Sequence, residues 1–248
     1  MGDRAHQNIS KDKVCEEEIM SISRSDIMFL FDVDNTLLDN DRIIAELQNH
    51  LEREVGVARA QRYWDIFEQL RTELGYADYL GALQRYRGVY PYDQSVLTVS
   101  RFLLNYPFAD RLFNRALEVI EYVSQWGAVA LLTDGDVVFQ PHKIERSGLS
   151  EAVDGRVLIY VHKEKELSDV TDRFSAKHYV LVEDKLRILT AIKKSWRSLV
   201  TTVFVNQGHY AHDPNIIAKY PGADISVERI EDLLRYNLAQ LQYPGDLN

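Results

Sequence analysis

The sequence of 248 residues is poor in features that would assign it to several common classes of protein. Cys15 is its one cysteine, so an intrachain disulfide is impossible. It has no apolar run of about 20 residues and no secretory apolar segment, so no membrane span is predicted. We therefore expect a cytoplasmic protein without a membrane partner.

Positive charge is also scarce. The chain has 29 lysines and arginines against 38 aspartates and glutamates, which gives a formal net charge of −9. Nucleic acids and anionic membranes attract proteins through clusters of Lys and Arg, so neither is an expected partner. A phosphate-bearing substrate would then need a local positive site, such as a metal ion.

The rest of the composition is that of an ordinary globular chain, with 46% hydrophobic and 27% charged residues. Its length suits one large domain, or one domain with a sizeable insertion. Residues 1–25 are polar and show no periodicity, which predicts a polar N-terminal tail.

Five short apolar segments are predicted to be buried strands: Ile27–Val33, Ala128–Leu132, Val157–Val161, Tyr179–Val182 and Thr201–Val205. Their apolar residues are continuous rather than alternating, which is typical of a parallel sheet covered on both faces. Helical patterns are predicted between and after these strands: Arg111–Trp126, Lys185–Trp196 and Val227–Leu241. Strands that alternate with helices predict a doubly wound α/β sheet, similar to a Rossmann fold.

The distance between the first two predicted strands is far longer than one crossover helix requires. The intervening residues carry only helical patterns, such as Arg42–Val55 and Arg59–Leu74, and then an aromatic-rich stretch. We predict a core of residues 26–39 and 107–248, with residues 40–106 inserted as an all-helical cap domain. Most aromatic residues of this insertion are interpreted as helix-packing residues.

Polar residues follow four of the predicted strands, where an open α/β sheet binds its ligands. They are Asp32 and Asp34 after the first strand, Thr133 and Asp134 after the second, Lys163 after the third, and Glu183 and Asp184 after the fourth. Converging carboxylates repel one another unless a cation neutralises them, and oxygen ligands of this kind favour Mg²⁺. A metal ion, a lysine and a hydroxyl together would bind a phosphoryl group, and a carboxylate can attack phosphorus.

Ordinary structural roles would also explain five of these residues. Asp32 and Asp34 could be turn formers that end a strand. Thr133 and Asp134 could begin the following helix, and Lys163 could be an ordinary solvated lysine. The ordered combination of all of them favours a site.

The same residues carry a family resemblance. The run FDVDNTLLD, residues 31–39, closely resembles the first motif of the haloacid dehalogenase-like hydrolase superfamily. LLTDGD, the lysine near VHKEK, and VLVED resemble its second, third and fourth motifs in the same order. The resemblance extends from about Ile27 to Val205, and the first motif is the most specific of the four.

The resemblance implies a role for each residue. Asp32 would be the nucleophile and a metal ligand, and Asp34 the general acid and base whose backbone carbonyl also binds Mg²⁺. Thr133 would bind the phosphoryl group, with Asp134 beside it in the substrate site, and a lysine would neutralise its charge. Asp184 would bind the metal, and Glu183 would bind it directly or through water. The helical insertion would be the mobile cap that selects the substrate.

The sequence departs from the family pattern in two places. The third motif is short and offers both Lys163 and Lys165, of which we favour Lys163 because it directly follows the strand. The fourth motif lacks a further acid, since Lys185 and Arg187 stand in that region. Either the metal site uses fewer carboxylates, or these two residues lie on a helix surface without a role.

These observations favour a Mg²⁺-dependent phosphatase that acts on a small phosphorylated metabolite through an aspartyl-phosphate intermediate, as a monomer or homodimer. A phosphomutase or a dehalogenase of the same superfamily is an alternative, although a dehalogenase typically lacks the second aspartate. A non-catalytic binding protein with the same fold is another, supported only by the shortened third motif.

Overall fold

A computed structural model of the protein describes residues 26–242, so the predicted tail of residues 1–25 lies outside the described residues. Six parallel strands form one sheet: β1 Ile27–Phe31, β2 Ala128–Asp134, β3 Val157–Tyr160, β4 His178–Glu183, β5 Val200–Val205 and β6 Ile225–Val227. The strand order is β3-β2-β1-β4-β5-β6. The predicted doubly wound α/β class is confirmed, and all five predicted strands are present.

The first strand, β1, lies in the middle of the sheet and is hydrogen-bonded on both sides. Phe29 stands opposite Val129 of β2 and Val180 of β4. The side chain of Phe29 is buried in the core on one face of the sheet, and that of Leu30 in the core on the other. Burial on both faces explains why the apolar residues of this strand do not alternate with polar ones.

Four helices separate β1 from β2: α1 Asn40–Val55, α2 Val57–Leu74, α3 Tyr79–Val89 and α4 Ser95–Leu104. The first begins where the side chain of Asp39 accepts a hydrogen bond from the backbone N–H of Arg42, at 3.0 Å. Gly56, at φ 80°, separates α1 from α2. The inserted region is helical, as predicted, and the limits of a cap domain at residues 40–106 stay a prediction.

Aromatic residues join these helices to each other and to the sheet domain. The Tyr63 hydroxyl donates a hydrogen bond to the backbone carbonyl of Tyr79, at 3.0 Å. The ring of Tyr79 stacks on Phe67 at 4.8 Å and meets the edge of Phe139, in the helix after β2, at 5.6 Å. The apolar core on this face is therefore continuous with the helical insertion.

The remaining helices connect and flank the strands. They are α5 Ala116–Ser124, α6 Phe139–Arg146, α7 Leu149–Ala152, α8 Leu167–Arg173, α9 Leu186–Trp196, α10 Gly208–Ala211, α11 Pro214–Ile217 and α12 Leu238–Gln242. Short 3₁₀ segments occur at Phe108–Arg111, Lys163–Lys165, Arg197–Leu199 and Ile230–Arg235. Within residues 26–242, none of the helices combines the length and the apolar character that crossing a membrane requires.

Two helix predictions need correction. The helix predicted from Arg111 begins only at Ala116, because Arg115 has a φ of 57° and breaks the preceding turn. The single helix predicted at Val227–Leu241 is wrong, since Val227 ends β6, Ile230–Arg235 forms a 3₁₀ segment, and an α-helix begins only at Leu238. Ile230 and Leu233 are buried three residues apart, a spacing that fits three residues per turn as well as an α-helix.

Gly127, directly before β2, provides a test of the close packing between β1 and β2. A Cβ atom at this position would lie 2.4 Å from the backbone oxygen of Ile27. We expect Gly127→Ala to lower the free energy of unfolding by about 1–3 kcal/mol, measured by urea denaturation. Gly88→Ala is the control, because a Cβ atom there meets nothing within 4 Å and a helical alanine should add about 0.5–1 kcal/mol of stability. Equal stability of the two variants would contradict this account.

Candidate active site

The predicted site residues converge at the carboxyl edge of the central strands. Asp32 follows β1, Thr133 and Asp134 end β2, and Glu183 ends β4 immediately before Asp184. Since β1 lies between β2 and β4, their last residues are neighbours. The side chains of Asp32, Glu183 and Asp184 are almost completely buried, and one carboxylate oxygen of each lies within 4.8 Å of the other two.

Lys163, at the start of the 3₁₀ segment after β3, lies inside this cluster. Its Nζ atom is 2.5 Å from Asp32 Oδ1 and 2.5 Å from Glu183 Oε2, and it donates to the backbone carbonyl of Leu132 at 3.0 Å. Burial alone would lower the pKa of Lys163, but the two carboxylates raise it. Lys165, the alternative from sequence, is exposed.

The same ion pair acts on Asp32. Burial by itself raises the pKa of this carboxyl, but the charges of Lys163 and Lys185, together with the hydrogen bonds that the carboxylate accepts, lower the pKa of Asp32 below its ordinary value. The other oxygen, Oδ2, accepts a hydrogen bond from the Thr36 hydroxyl at 3.3 Å. Asp32 is thus an ionised carboxylate held from two sides.

Asp184 has no comparable partner. Both of its oxygens are buried, and neither accepts a hydrogen bond from any residue between 26 and 242. The ammonium of Lys185 lies 3.6 Å from Oδ1, with 31% of its side chain exposed. Burial, together with the negative charges of Glu183 and Asp32, raises the pKa of Asp184 well above its ordinary value. A buried carboxylate with unused oxygens beside two other carboxylates fits a divalent cation bound by oxygen ligands.

Asp34 does not point into this cluster. Its Oδ1 atom accepts a hydrogen bond from Lys143 Nζ, and its Oδ2 atom accepts one from Gln140 Nε2 at 3.4 Å. Its side chain is 24% exposed and lines the neighbouring cavity. The backbone-carbonyl contact with a metal, which the family resemblance implies for Asp34, stays a prediction.

Thr133 and Asp134 have separate surroundings. The Thr133 hydroxyl is buried, donates to the backbone carbonyl of Asp134 at 3.3 Å and accepts from Gln140 Nε2 at 3.0 Å. Asp134 Oδ1 accepts the backbone N–H of Lys163 at 2.7 Å. Burial raises the pKa of Asp134 to about 6, although Lys163 opposes this effect. Asp134 therefore fixes the lysine-bearing turn, whereas Asp136 accepts the backbone N–H groups of Val138 and Phe139 at the start of α6.

A cavity of about 990 Å³ separates this edge from the helical insertion. Asp34 and Asp134 line it from the sheet, and Trp64 and Arg71 line it from α2. Arg71 also donates a hydrogen bond to the hydroxyl of Tyr210, from the segment after β5, at 2.6 Å. The volume is enough for a small organic molecule beyond a single phosphate group.

Sequence reasoning missed Thr36, Gln140 and Lys143 as members of this site. Gln140 and Lys143 occupy the buried face of α6 together with Phe139 and Ile144. A lysine and a glutamine on an otherwise apolar helix face were the one sequence pattern that could have indicated their role. Their partners could not be identified from sequence, because Asp34 is more than a hundred residues away along the chain.

A family model for haloacid dehalogenase-like hydrolases matches residues 28–205. Comparison with curated protein sequences finds no match. Among solved structures, a protein assigned as a haloacid dehalogenase-like hydrolase from Burkholderia xenovorans LB400 is 57% identical. The similarity covers 86% of this chain and 99% of that one, with a TM-score of 0.82.

More distant structures share the fold. A protein from Bacillus subtilis assigned as a HAD hydrolase, crystallised with magnesium, is 18% identical over 85% of this chain and 97% of that one, with a TM-score of 0.53. The L-2-haloacid dehalogenase from Xanthobacter autotrophicus, with chloropropionic acid covalently bound, is 14% identical over 84% and 96%, with a TM-score of 0.56. At these identities the likeness concerns the fold alone.

The buried ion pairs of Lys163 give a test of the site in the metal-free protein. We expect Lys163→Met to lower the free energy of unfolding by about 3–5 kcal/mol near neutral pH, because it leaves Asp32 and Glu183 buried without a cation. The loss should shrink at low pH, since protonation removes the unpaired charges. Urea denaturation at several pH values measures both effects. The exposed Lys165→Met control should stay within about 0.5 kcal/mol of the parent, and an equal loss in both variants would contradict the assignment.

Proposed function

The chain belongs to the haloacid dehalogenase-like hydrolase family, and we propose that it is a Mg²⁺-dependent phosphatase that acts on a small phosphorylated metabolite. The observation that carries this proposal is the buried carboxylate cluster, in which Asp184 has two oxygens without a hydrogen-bond partner among the described residues. A dehalogenase needs the nucleophilic aspartate but no metal. Asp184, a buried acid near Asp32 whose oxygens are free to bind a metal, therefore favours metal-assisted phosphoryl transfer.

The metal would be held by the side chains of Asp32, Glu183 and Asp184, with the backbone carbonyl of Asp34 as a further ligand. Three hard oxygen donors of this kind suit Mg²⁺. When bound, the ion would neutralise the carboxylates and polarise the phosphoryl oxygens. The donor set fits because the cluster otherwise holds more negative charge than Lys163 balances.

In the proposed first step, a carboxylate oxygen of Asp32 attacks phosphorus. The bond between phosphorus and the leaving oxygen breaks, and Asp34, as a carboxylic acid, gives its proton to that oxygen. In the second step, the Asp34 carboxylate takes a proton from water, whose oxygen attacks the aspartyl phosphate. Inorganic phosphate leaves, and the Asp32 carboxylate is restored.

Other residues would bind and orient the phosphoryl group in both steps. The ammonium of Lys163, which contacts Asp32, would offset negative charge as the group is transferred. Thr133, whose hydroxyl lies at the end of β2, would donate a hydrogen bond to a phosphoryl oxygen. Asp134 is a further substrate-binding candidate because it lines the cavity, although its contact with the Lys163 backbone also serves the fold.

We propose that the helical insertion, residues 40–106, acts as a cap that selects the substrate. It supplies one wall of the cavity, including Trp64 and Arg71, and the sheet edge supplies the other. A cap of this kind would exclude water while the aspartyl phosphate forms. The substrate would be a small phosphate ester, and a monomer or homodimer in the cytoplasm is the expected setting.

Replacement of the nucleophile tests the reaction. We expect Asp32→Asn to reduce phosphate release from p-nitrophenyl phosphate with Mg²⁺ by at least ~1,000-fold, because an amide oxygen is a poor nucleophile. Asp154→Asn is the matched control, since Asp154 is 79% exposed and its left-handed φ of 52° suits asparagine. Undiminished turnover of Asp32→Asn would overturn the assignment.

The same assay separates the proposal from its alternatives. Chloride release from 2-chloropropionate that survives a chelator would favour a dehalogenase. Trapping of a bis-phosphorylated intermediate would favour a phosphomutase. Absence of both Mg²⁺ binding and phosphate release across a broad metabolite panel would favour a non-catalytic binding protein.

Removal of a metal ligand should have opposite effects on stability and binding. Asp184→Asn should raise the stability of the metal-free protein by on the order of 1 kcal/mol, because it removes a buried acid whose pKa is raised. The parent should gain about 2.7 kcal/mol when Mg²⁺ is present at 100 times its Kd, and the variant should gain far less at the same concentration. Urea denaturation with and without Mg²⁺ measures both. An unchanged Mg²⁺ effect in Asp184→Asn would contradict the assigned ligand.

A further inference from the structure

Helix α6 directs two buried polar side chains toward the candidate site. Gln140 and Lys143 are three residues apart and therefore lie on the same side of the helix. They are 3% and 1% exposed. Helix faces buried to this extent usually carry apolar side chains, so the burial of these two polar residues requires an explanation.

Lys143 is satisfied by Asp34. Its Nζ atom donates to Asp34 Oδ1, and the lysine side chain is only 2% exposed. Within residues 26–242, Asp34 is the carboxylate within ion-pair distance of Lys143. Burial of an ammonium group is unfavourable unless it is paired, so the position of Lys143 depends on Asp34.

Gln140 links Asp34 to the second motif. Its Nε2 atom donates to the Thr133 hydroxyl at 3.0 Å and to Asp34 Oδ2 at 3.4 Å. A side-chain amide has two N–H donors, so both contacts can form at once. A Cβ atom on Gly135 would lie 2.8 Å from the Gln140 side chain, which shows how closely this side chain is packed.

The base of α6 is itself fixed relative to β2. Asp136 Oδ1 accepts the backbone N–H groups of Val138 and Phe139, at 2.9 and 2.6 Å, and so holds the turn that leads into the helix. The ring of Phe139 packs against Tyr79 and Phe108. The helix that carries Gln140 and Lys143 is therefore anchored at its start by both polar and apolar contacts.

We propose that Lys143 and Gln140 are positioning residues for Asp34, and that α6 sets the direction of its carboxylate. Each Asp34 oxygen has one donor from this helix, and Gln140 fixes the same carboxylate relative to Thr133. This inference rests on the proposed function, in which Asp34 transfers protons and Thr133 binds the phosphoryl group. Proton transfer depends on direction as well as on distance, so loss of either donor should slow turnover more than it weakens substrate binding.

The proposal is tested with Lys143→Met and Gln140→Leu, assayed with Mg²⁺ on two substrates. An alkyl phosphate needs a proton on its leaving oxygen, whereas p-nitrophenolate leaves readily without one. We expect kcat to fall ~100-fold or more for the alkyl phosphate and about 10-fold for p-nitrophenyl phosphate, with KM within about 3-fold. Arg146→Met, on the exposed side of α6, is the control and should leave both rates unchanged.

A merely structural role would lower the two rates by the same factor, or would raise KM alone, and either result would overturn the proposal. An equal effect of Arg146→Met would overturn it as well. Gln140→Leu removes no charge, so it provides the same comparison if Lys143→Met does not fold. Unaltered selectivity between the two substrates in the folded variant then counts against the positioning role.

A second measurement does not depend on activity. Lys143→Met, Asp34→Asn and the double variant are compared with the parent by urea denaturation. Contact between the two side chains predicts that the double variant is less destabilised than the two single losses together. Additive losses would overturn the pairing. If the parent cleaves no phosphate ester, the proposed function fails, and this cycle alone then decides whether α6 positions Asp34.

Discussion

The carboxyl edge of the sheet depends on one buried ammonium group. Lys163 Nζ lies 2.5 Å from an oxygen of Asp32 and 2.5 Å from an oxygen of Glu183, in surroundings that exclude water. Burial of carboxylates is unfavourable unless they are paired, and this ammonium contacts both of them. A buried ion pair of this kind is often no more stabilising than apolar residues of the same volume. Its presence is therefore better explained by the chemistry of the edge than by the stability of the core.

The four acids along this edge differ in how they are paired with the two buried lysines. Lys163 is shared by Asp32 and Glu183, whereas Lys143 is paired with Asp34. Neither of these two lysines pairs with Asp184, and its oxygens accept no hydrogen bond from residues 26–242. The two aspartates of the first motif thus have different lysine partners although they are two residues apart, and the Asp34 side chain is partly exposed whereas that of Asp32 is buried.

The fold was largely predictable from sequence because β1, β2, β4 and β5 are buried on both faces and so appear as continuous apolar runs. The residues after the strands were predictable for a related reason, since parallel strands bring their carboxyl ends together. The sixth strand was missed because Ile225–Val227 is only three residues long and precedes a segment with helix-like spacing. Lys143 and Gln140 were missed because their role arises from contact with a residue distant in sequence. Which aspartate takes which lysine is a property of packing that no local pattern specifies.

The position of β1 at the centre of the sheet has a consequence for how the chain folds. Met28 is hydrogen-bonded in the sheet opposite Ala128 on one side and Tyr179 on the other, about 100 and 150 residues later in the chain. Pairings this distant carry a high loop-closure cost and make folding slow. During synthesis, the most apolar strand of the protein must wait until most of the chain has been made. Helices α1–α4, which mainly contact one another, can form in that interval before the strands pair.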